Sequence, residues 1–202
     1  SFAVWSAVVV SAEKEADQLL VERVQRGDKK AFDLLVLKYQ HKVANLISRY
    51  IRDQSEVLDV TQEAFIKAYR ALPKFRGDSA FYTWLYRVAI NTAKNHLAAQ
   101  SRRPPGDDIE AETAEQMDLG TPLKETDTPE RLALQGEIAQ TIQKALDDLP
   151  DDLRTAITLR ELDGLTYEEI AQAMECPIGT VRSRIFRARE AIDARLKPLL
   201  VP

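Results

Sequence analysis

The chain has 202 residues, 45% of them hydrophobic, and a formal net charge of −4. That is enough for one large or two small domains with real cores. A single cysteine, Cys176, excludes an internal disulfide framework and fits a reducing compartment. His41 and His96 stand in different segments without a neighbouring Cys/His cluster, so no metal site is expected.

Residues 2–10 are apolar but too short to span a bilayer, and no positive residues precede them as in a signal peptide. Residues 1–15 are therefore expected to be an unstructured extension outside either domain. From 16 to about 97 the pattern is helical, with no strand alternation. A first helix over 16–26 is stopped by Gly27. Asp28 can cap a second over 29–50, with an inward stripe of Phe32, Leu35, Val36, Tyr39, Val43, Leu46 and Ile47. A third runs from about Ser55 to Leu72 and ends at Pro73. Its exposed side carries Asp59, Gln62, Glu63, Ile66 and Arg70, while Phe65, Ala68, Tyr69 and Leu72 can face the core. Spacing alone reads that exposed side as a solvated surface with one stray isoleucine.

A loop over 74–78 leads, with Asp78 or Ser79 as cap, into a fourth helix ending near Gln100. Loop and helix interleave aromatic and basic residues, the composition that holds single-stranded nucleic acid by stacking and cationic contact. Phe81, Trp84, Leu85 and Val88 have core spacing. Phase leaves Phe75, Tyr82, Tyr86 and Asn91 as candidate contacts. Residues 106–129 are acidic, contain prolines and lack aromatics, a composition that cannot bury enough surface to fold alone. Helical patterning resumes over 129–149, breaks at Pro150 and continues over 151–162.

From Leu165 to Arg189 two short helices flank a tight turn, the layout of a DNA-reading helix-turn-helix. Thr166 and Glu169 form a capping box, and Ile170, Ala171 and Met174 make an apolar stripe. Pro177 suits the first position of the next helix. On that helix Val181, Ile185, Ala188 and Ile192 share the inward face, and Arg182, Ser183, Phe186, Arg187 and Glu190 point the opposite way. Arginine can grip guanine edges and phenylalanine can lie against a thymine methyl, so this face suits a major groove.

The negative total conceals a division. Residues 1–105 carry 17 basic and 11 acidic side chains, 106–163 carry 5 and 16, and 164–202 carry 6 and 5. Phosphate affinity follows local cationic patches rather than the sum. No phosphate-cradling glycine loop, Ser/His/Asp set or metal cluster appears, so no enzyme and no cofactor is expected. From the residues alone, a self-sufficient helix-turn-helix regulator with an N-terminal sensing or dimerising domain stays open.

Residues 59–65, 75–87 and 164–189 together resemble a group IV (extracytoplasmic-function) bacterial sigma factor of the sigma-E/AlgU-like subgroup, over about Asp17 to Leu199. The resemblance implies an all-α chain of two small helical domains joined by an acidic flexible linker: a region 2-like domain over 16–103, a linker over 104–129 and a region 4-like domain over 130–202. It implies that Asp59, Gln62, Glu63 and Ile66 dock the clamp helices of the polymerase β′ subunit. Phe75, Arg76, Ser79, Ala80, Tyr82, Tyr86 and Asn91 would then serve −10 recognition and melting. Arg182, Ser183, Phe186 and Arg187 would read −35 bases, with Thr180, Arg184 and Arg189 nearer phosphates. The implied partners are core RNA polymerase (β′ clamp helices and β flap), promoter DNA and a membrane-anchored anti-sigma factor, with no small-molecule substrate. The implied location is cytoplasmic, held at the inner membrane surface through the anti-sigma factor, and the implied targets are envelope-stress genes.

Overall fold

A computed structural model describes residues 1–103 and 128–201. Nearly all of the acidic linker expected over 104–129 lies outside the described residues. Those described form helices and no strand, in two compact units.

The N-terminal unit contains α1 (Phe2–Gln25), α2 (Lys29–Ile47), α3 (Gln54–Ala71), a 3-10 turn (Leu72–Lys74) and α4 (Phe81–Ser101). Its helix starts are written in the sequence. Asp28 accepts the Lys30 amide at the head of α2, and Asp53 accepts the Ser55 and Glu56 amides at the head of α3. The expected side-chain cap on α4 is absent. Ala80 occupies the cap position without a side-chain bond, and Ser79 Oγ instead donates to the Ala80 carbonyl at 3.3 Å. Leu35, Val43, Ile47, Val60, Leu72, Leu85 and Ile90 fill the core.

Residues 2–15 are not unstructured: they are the first turns of α1. No glycine or proline interrupts the chain before Gly27, so the helix seated by Val21 and Val24 propagates backward without a break. Those turns are exposed throughout, with Phe2 87% and Trp5 69% exposed. The seat of α1 includes a polar tie. Tyr39 donates its hydroxyl to the Asp17 carboxylate, which is 2% exposed and also accepts from Lys38 Nζ at 2.6 Å. Burial and the Asp17 carboxylate push the Tyr39 phenol far above its ordinary pKa, so it stays a neutral donor.

The C-terminal unit is built chiefly from α5 (Pro129–Asp148), α6 (Asp151–Glu161), the first turn of α7 (Tyr167–Met174) and α8 (Ile178–Leu200). Leu146, Leu149, Ala156, Leu159, Val181, Ile185 and Ala188 supply its core. Thr128 caps α5 through the Arg131 amide, with Pro129 at its first position.

Candidate nucleic-acid interfaces

The capping box at the start of α7 forms in full. Glu169 N–H donates to Thr166 Oγ1 and Thr166 N–H donates to Glu169 Oε1, each at 3.1 Å. Ile170 and Met174 are buried as expected, but Ala173 rather than Ala171 is the third buried residue. The turn to α8 passes through Glu175 at φ 53°, a left-handed conformation that a side chain adopts at a cost. Pro177 sits one residue earlier than expected, as the cap of α8 rather than its first residue.

On α8 the helical phase holds. Val181, Ile185 and Ala188 are buried and Ile192 is half-buried. Arg182, Ser183, Arg187 and Glu190 are exposed, with Phe186 61% exposed. Two guanidinium groups, a hydroxyl and a bare aromatic ring thus share one open helix face. The flanking arginines turn back to α6. Arg184 lies 3.5 Å from Asp152 and donates toward Cys176 Sγ at 3.6 Å, while Arg189 donates to Glu161 at 2.7 Å. The Glu161 carboxylate raises the Arg189 pKa above its ordinary value. Thr180, the third candidate phosphate contact, is half-buried near the start of α8.

The second candidate surface gathers around the loop 75–80. Phe75 is half-buried, its ring centroid 5.1 Å from Trp84 and 6.4 Å from Phe81. Arg76 is exposed, and Ser79 and Ala80 are half-buried. Gly77 takes φ 78°, which turns the loop. Tyr82 is half-buried, and Asn91 is exposed nine residues along α4, about 13 Å at helical rise.

Tyr86 does not belong to this surface. It is 2% exposed, with its ring edge-on to Tyr39 at 6.4 Å, and the fourth-helix phase that placed it outward fails there. The reason is that α2 reaches around α4 with a large aromatic, which widens the buried arc of α4 beyond the stripe of Phe81 and Leu85. Trp84 deviates the other way. Its spacing assigns it to the core, yet it is half-buried and packs at a tilt beside Phe75 at the loop.

The exposed side of α3 is as phased: Asp59, Gln62 and Glu63 are exposed, and Ile66 is 45% exposed. Glu63 pairs with Lys67 at 3.1 Å. Leu58, 64% exposed, adds a second apolar side chain to α3 that the sequence reading missed. Its i, i+8 spacing from Ile66 is the signal that could have found it. Gln25, which holds the loop 75–80 from below, carried no local signal, because its acceptors lie 47 and 50 residues away.

The chain matches the sigma-70 region 2 family over residues 35–103 and the sigma-70 region 4 family over residues 139–192. It is 66% identical over 187 residues to the RNA polymerase sigma-H factor of Pseudomonas aeruginosa, covering 93% of this chain and 97% of that one. It is 64% identical over 189 residues to the ECF RNA polymerase sigma-E factor of Escherichia coli K12, covering 94% and 98%. The fold is that of the sigma factor RpoE of Bartonella quintana, solved with the anti-sigma factor NepR, at TM-score 0.64 and 24% identity over 83% of this chain and 98% of that one. The chain belongs to the ECF sigma factors, the alternative sigma subunits of RNA polymerase. A self-sufficient regulator, open on the residues alone, does not fit likeness that runs through both regions.

Proposed function

We propose that this chain directs core RNA polymerase to promoters with a −35 element read by α8 and a −10 element held by the loop 75–80. The observation that supports this best is the open α8 face, where Arg182, Ser183, Phe186 and Arg187 are exposed together above a packed Val181/Ile185/Ala188 seam. Bidentate arginines and an apolar contact give base discrimination in a major groove. At the loop, Arg76, Ser79, Ala80, Tyr82 and Asn91, with Phe75 behind them, would capture an unpaired base while the duplex opens. Tyr86 takes no part. Asp59, Gln62, Glu63 and Ile66 would dock the polymerase β′ clamp helices, and the C-terminal unit the β flap. Thr180 and Arg189 would meet −35 phosphates.

The domain roles follow: 16–103 binds polymerase and opens DNA, 104–129 links, and 130–202 finds the −35 element. The protein performs no covalent step of its own and needs no cofactor. It works in the cytoplasm on envelope-stress genes, and a membrane-anchored anti-sigma factor restrains it at the inner membrane. No helix among the described residues is long and apolar enough to cross a membrane.

Purified chain added to core polymerase should yield transcripts from a promoter with a GAACTT-like −35 element. Core polymerase alone should yield none, and no promoter-dependent transcript would overturn the reading. Arg187→Ala should weaken preference for that element by about 1–3 kcal/mol, measured by competition against scrambled duplex. An equal loss on all sequences would make Arg187 a phosphate contact instead.

A further inference from the structure

The loop 75–80 rests on the first helix. Gln25, the last residue of α1, donates both amide hydrogens from Nε2, one to the Leu72 carbonyl at 3.0 Å and one to the Phe75 carbonyl at 2.9 Å. Two carbonyl acceptors fix the amide orientation, because only the NH2 side of a glutamine can satisfy both. The Leu72 carbonyl also accepts the Phe75 N–H at 3.0 Å. One side chain therefore spans both ends of the 3-10 turn from which the loop departs. Seven residues earlier, on the same face of α1, Gln18 lies beside the loop's turning point: a Cβ on Gly77 would stand 3.9 Å from its Oε1. From the other side, the Phe75 ring is packed against Phe81 and Trp84. The loop is thus held by hydrogen bonds on one side and by rings on the other.

We infer that Gln25 is a positioning residue for −10 recognition, fixing the Phe75 backbone so that residues 75–80 are set in place before an unpaired base arrives. A site already ordered loses less freedom on binding, and that difference appears as affinity and rate. The inference rests on the −10 role proposed for this loop. Gln25 touches no base itself. Its side chain lies at the surface, so it can be replaced without opening a core.

Gln25→Glu keeps the shape but replaces two donors with a carboxylate facing two carbonyl oxygens. Gln25→Lys restores a donor group with the reach to serve either carbonyl. Each variant is reconstituted with core polymerase on the GAACTT-type promoter and on the same template held open around −10 by non-complementary strands. Opening is read by permanganate reactivity of unpaired thymines, with −35 duplex affinity and core affinity measured alongside. Gln25→Glu should lower opening and −10 discrimination by about five- to tenfold, the size of two net hydrogen bonds, with −35 and core affinity unchanged. Gln25→Lys should return to within about twofold of the parent, as a regained hydrogen bond allows. Parent-like behaviour of Gln25→Glu, or equal impairment of both variants, would overturn the inference. The doubly substituted loop Arg76→Ala/Ser79→Ala separates the two levels. If it retains −10 discrimination, the role of the loop fails and the role of Gln25 with it. If it loses discrimination while Gln25→Glu does not, only the role of Gln25 fails.

Discussion

Arg154 is 6% exposed, a burial that arginine tolerates only when every donor finds an acceptor. Its Nε donates to the Leu146 carbonyl at 2.7 Å, Nη2 to those of Asp147 and Leu149 at 2.8 and 2.5 Å, and Nη1 to Asp151 at 3.0 Å. Those carbonyls close α5, where the helix leaves its last acceptors unpaired before Pro150. A residue on the next helix thus caps the one before it and fixes the α5–α6 corner. Arg154→Ala should cost about 3–5 kcal/mol, because a buried charge bonded through four N–H groups and its acceptors lose one another. Arg154→Lys should recover less than half of that, since a point charge cannot span a planar set of acceptors. Urea unfolding followed by circular dichroism reads both. At Gly77 the balance is conformational. Contact at 3.9 Å is ordinary, so Gly77→Ala should cost about 1 kcal/mol through its left-handed φ alone.

Among elements, α8 is the one whose role was most legible in the sequence. Its inward and outward faces follow from a single period of 3.6, and the capping box marks where its partner α7 begins. The partners of its flanking arginines were not legible, because helical phase says nothing of what a neighbouring helix offers. Asp152 and Glu161 come from α6 and Asp148, which takes Arg195 at 2.5 Å, from α5. Some of the acid between 106 and 163 therefore braces the basic helix rather than offsetting it from afar. Exposure divides the flank: Arg184 is 18% exposed at its side chain and Arg189 is 49%. We expect a phosphate to take over Arg189 more readily than Arg184. In titrations across salt concentrations, Arg189→Ala should flatten the slope of log K against log salt by about 0.9, and Arg184→Ala should leave it unchanged. On α4 the same phase reasoning failed at Tyr86, where a tyrosine from another helix widened the buried arc. For α1 the composition was right about what packs, with only Asp17, Val21 and Val24 buried, and wrong about what folds. Trp5→Gln should change stability by less than about 0.5 kcal/mol in thermal unfolding, because an exposed ring loses no packing.

At the scale of the whole molecule, a chain with net charge −4 keeps exposed cations and a ring together at Arg182, Phe186 and Arg187, and a second set of basic and aromatic groups at the propped loop 75–80. That prop belongs to α1, the helix of the N-terminal unit with the smallest buried share. Two valines and the Asp17–Tyr39–Lys38 tie are most of what seats it. A helix held by so little apolar surface opens at lower free energy than the unit as a whole. Its amides should exchange with deuterium before those of α2 and α4, and warming should carry Gln25 away from Leu72 and Phe75 while Leu35, Leu85 and Ile90 remain packed. The temperature at which this protein stops opening promoters would then lie below the temperature at which it unfolds. Its activity would have a thermal ceiling set by one helix rather than by the core.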